Sequence, residues 1–524
     1  MEEIDDYYDI IVIGGGINGC AIARDAALRR LRVLLLEKGD YASGASSKSS
    51  KLVHGGLRYL ESGAFGLVRE SLRERNSLLE NASHLVKPLP FAFPVYKGDK
   101  RPLWQVNLGL YLYDWLDKGS PMPGHRKLSC KDVTQAFPSL KAKGLQGSCG
   151  YWDAQMNDSR LVIENVLSAR QSGADLFNYT EVTDLVKEEG KVVGVKYHSA
   201  KRHLKGQVKA GIVICAGGAW SNKLAAMDDP KAKQCVRPTK GVHIVVPKRH
   251  ADTSLILSTP QDGRIFFVMP WGEYSLIGTT DTDYDGDPDA VSVEESDVEY
   301  LLEATNHYFK EDPVERESVV ASFAGLRPLL PSKGSTPHRV SRESKISVTK
   351  SGMMIVVGGK YTTFRKIAED VVDIAGTRLG RSLEELRCVT KTRSLHGGAA
   401  LDMTKEQMDK EASKHAISPE QLRHLIVRYG SAYTSVLDAI HKIPHGAQRI
   451  CPHHVHLFGE LAYAIGVEQA MTLEDWFFRR TWMGYSKTCN NKCLKHVSKM
   501  FAAMLGWDES KRSREVKSYV KLSQ

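Results

Sequence analysis

Residues 9–40 run Asp9-Ile-Ile-Val-Ile-Gly-Gly-Gly-Ile-Asn-Gly-Cys-Ala-Ile-Ala-Arg-Asp-Ala-Ala-Leu-Arg-Arg-Leu-Arg-Val-Leu-Leu-Leu-Glu-Lys-Gly-Asp40. This order predicts one complete mononucleotide-binding βαβ unit. Ile10–Ile13 is a short buried strand, Ala21–Leu28 a helix, and Val33–Leu36 a second buried strand that ends on an acid. Between the first strand and the helix, Gly14, Gly16 and Gly19 supply a G-x-G-x-x-G turn. Gly14 makes the tight turn, Gly16 lets the backbone approach a pyrophosphate, and Gly19 allows close packing of helix on strand. The helix then offers N–H groups and the positive end of its dipole to phosphate. Glu37, eighteen positions beyond Gly19, falls where a ribose hydroxyl needs an acceptor. A glycine cluster alone is a weak signal. Strand, glycines, helix, strand and acid in order imply dinucleotide binding.

Three features favour FAD over NAD. The segment from Gly44 through Ser50 to Leu60 is rich in Ser and Gly, with donors and little bulk, and suits a loop wrapped round a large flat cofactor. Two later stretches repeat the pattern of a strand followed by glycines, Ile212-Val-Ile-Cys-Ala-Gly-Gly-Ala-Trp220 and Met354-Ile-Val-Val-Gly-Gly-Lys-Tyr-Thr-Thr-Phe364. A helix follows Phe364, and its N-terminus suits the electron-rich edge of a flavin ring.

At 524 residues the chain exceeds one compact core, and two or three domains are expected. Nine scattered cysteines imply a reducing compartment without disulfides. No apolar run approaches the roughly 18 residues of a membrane span, and the acidic start leaves no room for a signal or transit peptide. The net charge of +10 suits a solvated surface, or attraction to anionic lipid or substrate. No recognition motif accompanies it, so nucleic acid is not expected. Gly66–Asn81 reads as a half-buried helix. Trp104–Leu116 is an aromatic helical stretch that fits either a core or a membrane interface. Thr183–Tyr197 reads as a hairpin around Glu-Gly, and Val242–Val246, Arg264–Met269 and Tyr274–Thr279 alternate as strands. Together these suggest a substrate sheet inserted into the nucleotide fold. From about Leu401 the pattern is helical, with Gly397-Gly-Ala-Ala as the junction.

Asp9–Gly19, Ser46–Leu60 with its Ser-Ser-Lys-Leu-Val-His-Gly-Gly-Leu-Arg-Tyr-Leu, Lys240-Gly-Val-His-Ile-Val-Val-Pro247, Phe267-Val-Met-Pro-Trp271, Ile277-Gly-Thr-Thr-Asp281, Ala324-Gly-Leu-Arg-Pro-Leu329 and Gly358-Gly-Lys-Tyr-Thr-Thr363 carry a resemblance. The sequence resembles the FAD-dependent, quinone-linked (aerobic-type) glycerol-3-phosphate dehydrogenase family. The match spans about the first 370 residues. It is looser in the last third, where Asp475-Trp-Phe-Phe-Arg-Arg-Thr481 is clearest. The resemblance implies an α/β fold: an FAD-binding Rossmann-like βαβ fold, an inserted mixed or antiparallel substrate sheet and a C-terminal helical cap. The expected boundaries are 1–395, with FAD-binding segments near 7–85, 160–240 and 350–380 and substrate segments near 86–159 and 241–349, then 396–524 for the cap. The implied activity is oxidation of sn-glycerol 3-phosphate to dihydroxyacetone phosphate by hydride transfer to non-covalently bound FAD. Electrons then pass to a membrane quinone. The alternatives are a glycerol-3-phosphate oxidase using dioxygen, or an amine or amino-acid oxidase. The absence of a long insertion between Arg327 and Lys360 leans toward the dehydrogenase, and a single-Arg carboxylate clamp would mark the amino-acid oxidase. The expected location is cytoplasmic, peripheral on the cytoplasmic face of the inner membrane, with a possible homodimer.

The matching segments supply the candidate site. Arg58, Arg327 and Lys360 are the expected phosphate cations, since charge-assisted hydrogen bonds hold a dianion best, with Tyr59 and Thr362 adding neutral bonds. His243 is the expected base and His54 the runner-up. Asp281 either orients a histidine or caps a turn. Cofactor contacts are expected from Gly14, Gly16, Asn18, Gly19 and Glu37, and from Ser46, Ser47, Ser50, Lys51, Leu52, Gly55 and Gly56 of the first loop. Further along, Val182, Ala216, Gly217, Trp220, Gly359, Lys360 and Thr362 complete the set. Cys451-Pro-His-His-Val-His456 with Cys489 and Cys493 offers metal-competent side chains at spacings that do not pair as C-x₂-C, and no metal is expected. Two segments suit a monotopic membrane contact: Trp104–Leu116, and the basic run Lys487–Lys521 with Met500, Phe501, Met504 and Leu505 interleaved.

Overall fold

Apolar runs buried on both faces belong at the centre of a parallel sheet, and the first βαβ unit takes that place. In the computed structural model, which describes residues 4–250, 252–331, 343–487 and 491–522, β1 (Tyr7–Ile13) pairs in parallel with β2 (Val33–Leu36) on one side and with strand Leu204–Cys215 on the other. Strand Met354–Gly358 continues the parallel order, Ser344–Val348 closes that edge antiparallel, and Asp175–Phe177 lies beyond β2. The hairpin Glu181–Glu188 with Lys191–Ser199, grouped above with the substrate strands, instead pairs with the first half of Leu204–Cys215 and extends this sheet. Strand alternation shows a half-buried ribbon but not which sheet receives it. Its turn residues, Glu189 and Gly190, take φ of +48° and +76°, as a tight hairpin turn with the right-handed twist requires.

Helix α1 (Ile17–Leu28) starts four residues before the expected Ala21. Gly19 therefore lies inside its first turn, where a Cβ would stand 1.9 Å from the Gly14 carbonyl oxygen. Gly14 itself has φ +114°, so the two outer glycines have the geometric duties that the motif implies. α1 is buried nearly all round, between the sheet and the helices Asp158–Gln171 and Phe364–Arg378.

A second sheet, ten-stranded over the described residues, is almost wholly antiparallel. Its core strands are Arg237–Pro247, Ile265–Trp271, Tyr274–Gly278, Val86–Tyr96 and Leu145–Met156, and Ala321–Leu329 pairs along Arg237–Pro247. Register there sets His243 opposite Phe323, Gly241 opposite Gly325 and Thr239 opposite Arg327. Its edge strand Leu52–Val53 belongs to the first cofactor loop, so that loop joins the two sheets. Helices α2 (Phe65–Asn81) and α3 (Leu103–Leu116) follow. α3 buries Val106, Leu110 and Tyr113 and leaves Trp104, Tyr111 and Trp115 each 67% exposed and Leu108 59% exposed. No helix among the described residues is long and apolar enough to cross a membrane.

Between Lys405 and Leu522 every element among the described residues is a helix or helical turn, and this cap is fastened to the nucleotide sheet by buried charge. Asp40, just beyond β2, receives Arg479 Nε and Arg480 Nη1 at 2.7 Å each, and Arg160 pairs with Glu468. The Gly397–Gly398 junction is a tight crossing, since Cβ atoms there would meet the Tyr429 and Asn81 carbonyl oxygens at 2.2 and 2.0 Å. The expectation of no disulfide is corrected: Cys451 and Cys493, with Cα atoms 5.4 Å apart, are paired in the cap core. Their sequence separation of 42 hid that proximity from the sequence. The apolar residues of the basic C-terminal run also turn inward. Phe501 is fully buried and Met500 and Leu505 pack against the same core, leaving Met504 exposed.

Candidate active site

The ends of β1, Leu204–Cys215 and Met354–Gly358 bring three glycine turns to one edge of the parallel sheet, and there a cavity of about 1460 Å³ opens between the two sheets and the cap. Gly14, Gly16 and Asn18 line it from the first turn, with Ala216, Gly217 and Gly359 from the other two. Glu37 stands at the strand end, its carboxylate accepting from the Gly15 and Gly39 N–H groups at 2.6 and 2.7 Å. Burial raises its pKa, against those two bonds. Ser46 Oγ accepts from Ile17 N–H at 2.9 Å, which ties the Ser-rich loop to the start of α1. A Cβ at Gly16 would come within 3.2 Å of that hydroxyl, and one at Gly44 within 3.1 Å of the Trp220 ring. The walls are thus bare backbone where a pyrophosphate would lie, beside an α1 N-terminus with no acid in its first turn. These residues fit a dinucleotide, with Ser50, Leu52, Gly56, Val182 and Trp220 completing the lining.

Several expected contacts lie behind that wall. Lys51 is fully buried at φ +58°. Its ammonium is held by the two Asp158 oxygens at 2.9 and 2.8 Å and by the Ser47 carbonyl at 2.6 Å. Lys51 and Ser47 therefore shape the loop from beneath. Gly19 is taken up by packing against Gly14. The Gly55 N–H donates to Asp153 at 3.1 Å. Thr362 Oγ1 accepts from the His54 N–H and donates to the His54 carbonyl, both at 3.1 Å, so it fixes a backbone and not a ligand.

At the other end of the cavity, Arg58, Tyr59, Arg327 and Lys360 share one wall system with His54 and His243. Lys360 Nζ lies 4.1 Å over the Tyr59 ring and donates to Ser71 Oγ at 2.6 Å. Arg327 donates to Thr279 Oγ1 at 2.7 Å and meets Asp281 at 3.1 Å. Gly241 makes this possible, since a Cβ there would sit 2.2 Å from the guanidinium. Asp281 thus serves an arginine, where a histidine or a turn was expected. His243 is buried, its Nε2 2.8 Å from Ser50 Oγ and its ring stacked on Phe323 at 5.0 Å, while Nδ1 has no partner. Burial, then the charges of Arg327 and Lys51, hold its pKa well below the usual histidine range, so the ring is neutral. Sequence reasoning passed over Lys48 and the cap residues Glu474, Phe478 and Tyr485, which all line the cavity. The signal for Phe478 was the run at 475–481, the clearest match in the cap; Glu474 and Tyr485 lie just outside it.

The cap's expected metal-competent cluster is divided. Cys451 and Cys493 bond to each other, Cys489 lies outside the described residues, and His456 joins His424 on Glu460 at 3.3 and 2.9 Å. Those donor atoms lie within 4.8 Å of one another, but Arg428 stands 3.9 Å from the same carboxylate and opposes a cation.

Comparison with known proteins agrees with this geometry. Residues 9–363 match the FAD dependent oxidoreductase family, and residues 388–512 match the C-terminal domain of alpha-glycerophosphate oxidase. The chain is 35% identical over 98% of its length to glycerol-3-phosphate dehydrogenase 2 of Mycobacterium tuberculosis (88% of that protein), and 33% identical over 98% to the aerobic glycerol-3-phosphate dehydrogenase of Bacillus subtilis (94% of that protein). The crystal structure of the glycerol-3-phosphate dehydrogenase from Bacillus halodurans complexed with FAD superposes with a TM-score of 0.82 at 28% identity, covering 99% of this chain and 95% of that one. With a cofactor cradle and a cation-lined cavity in place, the two family models and relatives 33–35% identical over 98% of the chain put it in the FAD-dependent glycerol-3-phosphate dehydrogenase family, with FAD as its cofactor.

Proposed function

We propose that the protein oxidises sn-glycerol 3-phosphate to dihydroxyacetone phosphate and passes the electrons to a membrane quinone. The observation that carries the first half is the convergence of Arg58, Arg327 and Lys360 with a neutral, buried His243 on one cavity. Three cations suit a phosphate dianion better than the single-arginine clamp of an amino-acid oxidase. Bound FAD supplies the two-electron acceptor for the hydride that leaves C2. Arg327, held flat by Thr279 and Asp281, fixes the phosphate and with it the position of C2. His243 Nε2, which shares a hydrogen bond with Ser50, takes the hydroxyl proton there. Phosphate beside Arg327 screens one of the two charges that depress the histidine, so substrate binding itself makes the ring a better base.

The quinone reading is supported by α3. Leu108 is exposed on its outer side and also lines the cavity, as do Gln105, Gly109 and Leu112. Phe91, Phe93, Tyr151 and Phe267 line the same cavity, and Leu108, a lining residue, also stands exposed among the outward aromatic residues of α3. This aromatic stripe is flanked by exposed Lys97, Lys100 and Lys118. Such a stripe is the chemistry of an interfacial helix, and it suits a lipid-soluble acceptor. The test is anaerobic mixing of purified holoenzyme with glycerol 3-phosphate, followed by a short-chain quinone or by dioxygen. Bleaching of the FAD absorbance and rapid recovery with quinone are expected. Recovery with dioxygen alone would make the enzyme an oxidase, and no bleaching would overturn the substrate.

A further inference from the structure

His243 and Arg327 stand on the paired strands Arg237–Pro247 and Ala321–Leu329, and between them Gly241 faces Gly325 across the pair. Lys48 rests on Gly325 so closely that a Cβ at position 325 would lie 2.6 Å from its own Cβ. Only a residue without a side chain admits it. Lys48 thereby lines the cavity, its Nζ 5.9 Å from the rings of both Phe323 and Phe478. Two cations nearby are fully engaged, Lys51 by Asp158 and Arg479 by Asp40, Glu474 and Asp475, whereas Arg327 meets Asp281 through one nitrogen. Lys48 Nζ has no hydrogen-bond or ion-pair partner among the described residues. A half-buried ammonium without a counter-charge is unfavourable in the free protein, and an arriving anion relieves it.

We propose that Lys48 is a further substrate-binding cation, which meets the phosphate of glycerol 3-phosphate beside Arg327 and sets the affinity for the dianion. This rests on the substrate reading above. Burial, and then the charge of Arg479, lowers the Lys48 ammonium to about 8; Lys51 adds to the lowering, and Glu474 and Asp158 oppose it. The phosphate itself is already dianionic above its second ionisation near pH 6. Affinity for the dianion therefore falls as pH rises through about 8 because the protein, and not the ligand, loses charge.

The experiment compares wild-type holoenzyme with Lys48→Met and Lys48→Arg at matched FAD content. Binding of methyl phosphate, a monoester that like the substrate is dianionic across this range, is measured by calorimetry from about pH 7 to 9, beside KM and kcat for glycerol 3-phosphate and turnover of glycerol. Lys48→Met should weaken phosphate binding and raise KM by about 10- to 100-fold, with kcat and glycerol turnover little changed. Lys48→Arg should restore affinity and remove its decline above pH 8. If Lys48→Met loses FAD, Lys48→Gln replaces it. Unchanged phosphate affinity would overturn the proposal. So would a shifted FAD midpoint potential at unchanged affinity, which would assign the charge to the cofactor. If glycerol 3-phosphate fails to reduce the wild-type enzyme, the substrate reading falls on its own, and the phosphate titration still decides the role of Lys48.

Discussion

Burial keeps His243 uncharged, and Arg327 and Lys51 reinforce it. If this ring takes the substrate proton, His243→Ala should slow FAD reduction by roughly 10²- to 10⁴-fold with the cofactor still bound. Near-normal reduction in stopped-flow mixing would move the role to His54. The pH dependence has a definite sign. The folded pKa lies below the ordinary 6.5, so the neutral, active ring persists through pH 6.5 and is lost only as pH falls through the depressed value. Reduction rates should therefore stay level across pH 6.5. Arg327→Ala should raise KM for glycerol 3-phosphate by about 10- to 100-fold while sparing the poor turnover of glycerol. It also removes a donor from the buried Asp281, so the single variant should melt lower by the equivalent of about 1–3 kcal/mol. Adding Asp281→Asn should recover the melting temperature and leave KM high. Equal losses on both substrates would mark Arg327 as structural. Both side chains were visible in the sequence because each sits in a glycine-marked motif. Their partners were not, since the contact of Arg327 with Asp281, 46 residues away, is set by strand register.

The cap's π-helical turn Asp475–Arg480 presents two arginines to one carboxylate. Burial pushes the Asp40 carboxyl up, yet Arg480 and Arg479 outweigh it and hold it at about 2. A carboxylate depressed by folding stabilises above its ordinary 3.8, and that contribution fades as pH falls from there toward about 2. Asp40→Asn should destabilise the protein by about 3–5 kcal/mol at neutral pH, because two buried guanidinium groups lose their shared partner. Denaturation followed at several pH values checks this. The gap to wild type should narrow below about pH 4, and a gap that stayed constant would place the stabilisation elsewhere. Elements were read well where periodicity was strong, as in β1, α2 and α3. Alternation grouped the hairpin at 181–199 with the substrate strands, against the expected FAD-binding segment 160–240 that contains it, because alternation is indifferent to the neighbour that completes it; the Cys451–Cys493 pairing depends on how cap helices fold back on each other.

For the molecule as a whole, the proposed bilayer contact turns on which side of α3 faces outward. Period and aromatic content fit core and interface equally in α3, and only the fold shows that its aromatic side stays out. Converting Trp104, Leu108, Tyr111 and Trp115 to Ser together should release the enzyme from anionic vesicles while FAD reduction by glycerol 3-phosphate continues. In cell fractions the unaltered enzyme should leave membranes only partly in high salt and fully in detergent. Activity found wholly in the soluble fraction before any wash would remove the membrane reading. The cavity also has a history in time. Its lining runs from Ile13 near the start of the chain to Leu522. The ribosome delivers the first cofactor turn early and the last stretch of wall only when residue 522 has emerged. A chain interrupted before Glu474 would carry the complete glycine turns without the cap's share of the wall, Glu474, Phe478, Tyr485 and Leu522, and would leave Asp40 without its two arginines.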